Sequence, residues 1–447
     1  MSLAATFLAL ALVADCDDIV AARSGDLFLA CHSPSDKFTV PVNGQKAVND
    51  EMDGYVIRLK RKGLGGPQTN QELGKFSQPP ELRFALVPQQ KDSYEIVYAT
   101  RMGGNAYDSA SRVAIDGEGN AWVTGFTKSA DFPVTADAWQ STYGGDGDAF
   151  LMKLSPSGHV LFSTFIGGPK SDFGNAIVMV GNQPVIAGTS DGDGFVQSGP
   201  SRRVTFGGTG EEKLTGLAHH KGKLYATGYT KSNDWKTLRG PSDAFVVRLN
   251  AQTLAIESVE YFGGSGDDSA WGIAIDKRGR VFIAGQTNST DLPGANRGFQ
   301  RQNRGGIDAF VAQIGGPATY FGGSQKDEAG YDGQNIAIDA DGSVWIAGIT
   351  YSTDLPAEGA YGGGDGDGFI AKFAPALNKL RFASYAGSPA REIGEGIAII
   401  PGGAVMTMVR FSDKEGISVG PFFAQSVISI WRLNQRSVSN RSSGIGR

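Results

Sequence analysis

Gly103-Gly104-Asn105-Ala106-Tyr107-Asp108 opens a phrase that continues through the apolar run Ala121-Trp122-Val123-Thr124-Gly125 and closes on Asp148-Ala149-Phe150. The same parts return in the same order at Gly263-Gly264, Asp268, Gly285 and Asp308-Ala309-Phe310, and again at Gly322-Gly323, Asp327, Gly348 and Asp367-Gly368-Phe369. Self-similarity at a period of this size marks a repeat architecture, in which each unit buries an apolar face against its neighbours. The unit therefore decides the fold.

In the copy that begins at Gly103, Val113-Ala114-Ile115 and Ala121 to Thr124 flank the turn Asp116 to Asn120, a hairpin pattern with glycine in the turn. After a loop with Pro133 come Ala149 to Leu154, the turn Pro156-Ser157-Gly158, and Val160 to Ile166, which runs into the next glycine pair. Four short strands make a sheet, not a helical repeat. Glycine pairs stand at 103, 167, 207, 263 and 322, with Ala386-Gly387 as a weaker sixth. The third unit has lost its long loop. An upstream unit, Ile19 to Ala22, Leu27 to Ala30 and Asp53-Gly54-Tyr55 with Val56 to Leu59, completes seven. The expected fold is all-β: a seven-bladed β-propeller of four-stranded antiparallel blades.

The seventh unit ends at its third strand, Val427 to Leu433, while Ala5-Thr6-Phe7-Leu8 matches Ser163-Thr164-Phe165-Ile166. Residues 3 to 9 are therefore expected to complete the last blade, leaving no open sheet edge. A signal peptide over Met1 to Ala14 competes with this reading, although no Lys or Arg precedes its apolar run. One domain is expected over residues 1–435, with a loop insertion at 60–92 in the first blade, followed by a basic, Ser-rich and disordered tail at 436–447.

The 64 glycines among 447 residues sit beside short apolar runs, which fits many tight turns. A net charge of -5 with no basic block argues against a nucleic-acid partner. No stretch reaches the roughly 18 to 20 apolar residues of a membrane-spanning helix. Cys16 and Cys31 flank one hairpin, so a disulfide and a pair of buried thiols both remain open.

The phrase resembles the bacterial SBBP family, whose name stands for seven-bladed β-propeller repeat. Thr127, Ser129, Asp131, Phe132 and Pro133 carry the resemblance, echoed at Thr287, Ser289, Asp291, Leu292, Pro293 and at Thr350, Ser352, Asp354, Leu355, Pro356. The resemblance implies an extracytoplasmic protein, at the periplasm or cell surface, often one module of something larger, and brings no shared catalytic motif. The chain departs from the pattern at Ala9-Leu10, in the shortened third unit, and at Ser426-Val427-Ile428.

An acid precedes the innermost strand at one matched position in five units: Asp108, Asp172, Glu212, Asp268 and Asp327, with Arg391 in that place in the seventh. Pointed at the axis, they would form a carboxylate ring for a hard cation such as Ca2+; otherwise each accepts N–H groups in its own turn. The recurring Asp before the aromatic, at 53, 148, 193, 243, 308 and 367, reads as structural, because an active site gathers unlike groups. Four scattered histidines offer no metal set. Residues that break the repeat, Trp139, Trp235, the loop from Asn296 to Arg304 and the 60–92 insertion, are the candidate partner contacts. The reading is a non-enzymatic binding or scaffolding module for a protein or glycan, acting through the face with the longer loops and needing no cofactor. A polysaccharide hydrolase or lyase sited at the acidic mouth, and an accessory subunit of a larger assembly, are the alternatives.

Overall fold

The computed structural model describes residues 5–12, 15–34, 52–62, 93–330, 334–389, 391–400, 403–411 and 424–433. The 436–447 tail and residues 63–92 of the insertion lie outside them, while 60–62 extend the strand Met52–Lys62. The described strands build an all-β propeller from antiparallel sheets, seven in number.

The second sheet shows the unit: Asp108–Ile115, Ala121–Thr127, Asp148–Leu154 and Val160–Ile166, each strand paired with the next. The first, third, fourth and fifth sheets repeat it from Asp15–Ala21, Asp172–Val180, Glu212–His220 and Asp268–Ile275. In the third, the lost loop is a two-residue turn in which Asp191 and Gly192 both have positive φ (55° and 89°), the geometry favoured between twisted strands. The sixth departs from expectation. Its innermost strand is split into Asp327–Glu328 and Ile336–Ile338, both paired with Val344–Thr350, because the chain between the acid and that strand is longer here than in its neighbours.

The seventh sheet holds Arg391–Ile400, Gly403–Phe411, Ala424–Leu433 and the N-terminal Ala5–Leu12. Thr6 lies opposite Arg432 and Phe7 opposite Trp431.

The core is a series of aromatic wedges between sheets. Phe245, Phe310 and Phe369, each just after a recurring Asp, are fully buried and meet Phe206, Phe262 and Phe321 from the outer strand of the preceding sheet, at ring separations of 6.3, 5.6 and 5.2 Å. Burying one such ring contributes about 1.5–3 kcal/mol. Cys16 and Cys31 face each other across the first hairpin and are joined by a disulfide within the core.

An axial cavity lined by bulged residues

The repeated acids do not converge on the axis. Asp108 accepts N–H of Gly104 (2.8 Å) and the Ser129 hydroxyl (2.7 Å); Asp268 accepts N–H of Gly264 (2.8 Å) and the hydroxyls of Ser289 (2.8 Å) and Thr287. Asp327 does the same with Gly323, Ser352 and Thr350; Asp172 accepts N–H of Gly168 and Glu212 that of Gly208. All five are buried, each satisfying the donor four residues before it. Among the described residues, no three His, Cys, Asp or Glu side chains gather as a metal set. The axial carboxylate ring is thus replaced by five separate turn anchors.

Arg391 is not the seventh member. Ser388 donates its N–H to Glu392 (3.1 Å), and Gly387 packs on Asp367, so the pair corresponding to Gly103-Gly104 is Gly387-Ser388. It lies one residue beyond Ala386-Gly387.

The Thr-x-Ser-x-Asp segment clamps the same turns. Ser129 accepts N–H of Ala106 (2.9 Å) and Asp131 that of Asn105 (2.9 Å), with matching bonds at Ser289 and Asp291 and at Ser352 and Asp354. The Asp preceding each aromatic repeats the device two strands later: Asp148 accepts N–H of Gly144, Asp243 that of Arg239 and Asp308 that of Arg304. The first glycine of a pair lies between the two kinds of acid, Gly167 between Asp148 and Asp172 and Gly263 between Asp243 and Asp268. Burial foremost, with the like charge opposite adding to it, pushes Asp148 and Asp268 up to about 6.

Side chains alternate along a strand, so an acid turned into its loop places the residues on either side toward the axis. These neighbours line a cavity of about 930 Å³, with residues from all seven sheets, in the size range of small-ligand sites. Tyr107, Glu211, Lys326 and Arg391 precede the acid position; Ser109, Phe173, Lys213, Glu328 and Ile393 follow it, and of the five acids themselves Glu212 borders the cavity. Two residues further on, a register shift recurs in the innermost strand of six sheets; the extra residue is Asp17, Ser111, Asn175, Thr215 or Trp271 in five of them, and in the seventh sheet the shift spans Glu395 and Gly396. Those five and Glu395 line the cavity. A β-bulge releases one side chain from the pairing and re-aims it, and here it does so toward the axis.

The lining mixes signs and rings. Arg112, Lys213, Lys326 and Arg391 stand among Asp17, Glu211, Glu212, Glu328 and Glu395, and Lys326 pairs with Glu328 at 2.9 Å. Phe126 and Phe173 stack at 4.6 Å; Tyr107 lies 6.1 Å from Phe126, and the Lys213 ammonium sits 5.0 Å over Trp271. Phe126, Thr189, Ile349 and Tyr351 enter from the ends of second strands, so the cavity opens where the longer loops leave.

The predicted partner contacts lie elsewhere. Trp139 is half-buried against Phe162 (5.4 Å) and Trp235 against Phe206 (5.8 Å), both serving as packing; Asn296 and Arg304 are exposed. Sequence reasoning missed the lining because it followed the acids that repeat. The signal was beside them, in neighbours that change from unit to unit.

These features define a β-propeller with a cavity on its axis. Residues 97–133 and 259–293 match the SBBP family model, a β-propeller repeat, so the chain carries SBBP repeats. It is similar to the regulatory protein FlaEY of Caulobacter vibrioides, with 25% identity over 263 residues covering 48% of this chain and 26% of that protein. The chain thus spans about a quarter of that relative's length. A neuraminidase-like protein from A/bat/Guatemala/164/2009 aligns at 9% identity with a TM-score of 0.38, over 71% of this chain and 87% of its own. Among the described residues, no helix is long and apolar enough to cross a membrane.

Proposed function

We propose that the protein is a closed seven-bladed propeller that works outside the cytoplasm as a non-enzymatic binding module, its ligand held at the axial cavity on the face of the longer loops. One observation carries the binding reading: the residues around the cavity differ from blade to blade, whereas those that hold the turns recur. A scaffold residue repeats because a backbone need repeats; a binding site needs unlike groups in one place.

Closure is supported by the contacts of innermost strands from sheet to sheet, including the seventh against the first, and by the pairing of Ala5–Leu12 with Ala424–Leu433. That pairing favours a structural strand over a signal peptide. The buried Cys16–Cys31 disulfide supports an oxidising compartment. A role within a larger assembly draws on the greater length of the Caulobacter relative, itself titled a regulatory protein.

Screening of soluble ligands by thermal shift tests the reading. A ligand at a hundredfold excess over its Kd stabilises the fold by about 2.7 kcal/mol. The shift should be present in the wild type and absent in Phe173→Ala. Conversion of the bound ligand to a product would overturn the non-enzymatic assignment.

A further inference from the structure

We infer that the axial cavity takes a neutral oligosaccharide, with the bulged residues as its specificity determinants; this rests on the reading of that cavity as the binding site. Charge comes first. The lining carries four cations and five carboxylates interleaved around one opening, so no field of a single sign is present to draw in a polyanion or a polycation. A ligand suited to it has many hydrogen-bonding groups and no net charge.

The rings supply the second argument. Phe173 packs one face on Phe126, at 4.6 Å and 15° between planes, yet remains 39% exposed; Tyr107 beside it is 36% exposed. An aromatic ring with one face packed and much of its surface open is a fixed platform. Its negative face attracts the polarised C–H groups on the flat side of a sugar ring.

The bulges supply the third. Of the six bulged residues, Asp17, Ser111 and Glu395 bring short or acidic hydrogen-bonding groups and Asn175 brings its amide oxygen, its N–H being given to the Leu214 carbonyl (2.8 Å); Thr215 donates to the Ala270 carbonyl (2.9 Å), and Trp271 lies buried beneath Lys213, so these two shape the wall. Hydroxyls both donate and accept, so a sugar can bond to carboxylates, amides and hydroxyls alike. A volume of about 930 Å³ suits a short oligomer, not a folded partner.

Isothermal titration of the full chain tests this. The probes are hexasaccharides of β-1,4-glucose, α-1,4-glucose, β-1,4-xylose and β-1,4-N-acetylglucosamine, with hexagalacturonate, a hexamer of β-1,4-glucosamine and a tryptic digest of casein for comparison. At least one neutral sugar should bind, with a Kd unchanged between roughly 50 and 500 mM salt, as expected where no charges pair across the interface. Phe173→Ala should weaken it at least tenfold, Phe299→Ala on the outer loop should not, and circular dichroism shows whether each variant is folded. Absence of binding by every neutral sugar overturns the inference. Preference for a charged sugar or peptides that is still lost in Phe173→Ala overturns the ligand class but leaves the cavity as the site. Binding of a neutral sugar that survives both Phe173→Ala and Tyr107→Ala overturns the cavity reading itself.

Discussion

Replacing Asp148 with Asn should make the protein more stable at neutral pH, with a smaller gain at pH 5. Asp148 is fully buried. One carboxylate oxygen accepts N–H of Gly144 (2.9 Å) and the Gln140 amide (3.0 Å), while the other, Oδ1, meets no donor. Across Gly167 stands Asp172, with Arg203 at 3.9 Å; Tyr143 and Asp146 lie on the loop side, and the Tyr143 phenol is itself raised by burial and by these acids. Burial first and Asp172 second raise Asp148 to about 6. The folded state therefore binds its proton more tightly than the unfolded chain. Stability from this group is fully present below about pH 4 and is lost as pH rises through about 6. Roughly two pH units at about 1.4 kcal/mol each set an upper bound near 3 kcal/mol at pH 7.5. The amide of Asp148→Asn keeps an acceptor for Gly144 and offers a donor to Asp172. Urea midpoints at pH 5 and 7.5 give the result directly: about half of the effect is already present at pH 5, so the stability of the variant minus that of the wild type should move by about 1–1.5 kcal/mol in favour of the variant on going to pH 7.5. Equal destabilisation at both pH values would refute the buried-charge argument.

Asp108, Asp268, Asp308 and Asp367 are likewise pushed up to about 6, burial first, so the wild-type melting temperature should rise on acidification from pH 7.5 to 5, and a flat profile in a scanning experiment would count against it. Ser289→Ala leaves Asp268 without one donor and Gly266 N–H without its acceptor, which should cost about 1–3 kcal/mol in urea unfolding. Joint replacement of Cys16 and Cys31 by Ala removes a cross-link spanning 15 residues and should lower stability by about 3 kcal/mol, measured by the same titration. Deleting residues 1–12 uncovers the edge of Ala424–Leu433; sedimentation should then show association that the full chain lacks.

The parts of this molecule visible from sequence are those whose cause is local. A carboxylate that accepts the N–H four residues before it leaves a fixed spacing, and so do the Thr-x-Ser-x-Asp clamp and the Asp-small-aromatic wedge. The same locality explains the slip at Arg391. Ser388 can donate the bond that a second glycine donates elsewhere, so the pair that holds Glu392 does not look like a glycine pair. The pairing of Cys16 with Cys31 depended on hairpin register, which two cysteines alone do not reveal. The cavity was hidden for a different reason. Its residues share a direction and not an identity, and that direction is set by a one-residue register shift that leaves no fixed residue type at Ser111, Asn175, Thr215 or Trp271.

That register shift separates two kinds of heredity within one strand. A bulged residue has no partner opposite it in the ladder, so exchanging Ser111 for Thr or Asn changes what the axis offers without asking the neighbouring strand to adjust, whereas Asn175 and Thr215 donate to the carbonyls of Leu214 (2.8 Å) and Ala270 (2.9 Å) in the next sheet. The same shift thus makes some positions of the cavity lining exchangeable while the blades stay as they are, and turns others into ties between one blade and the next.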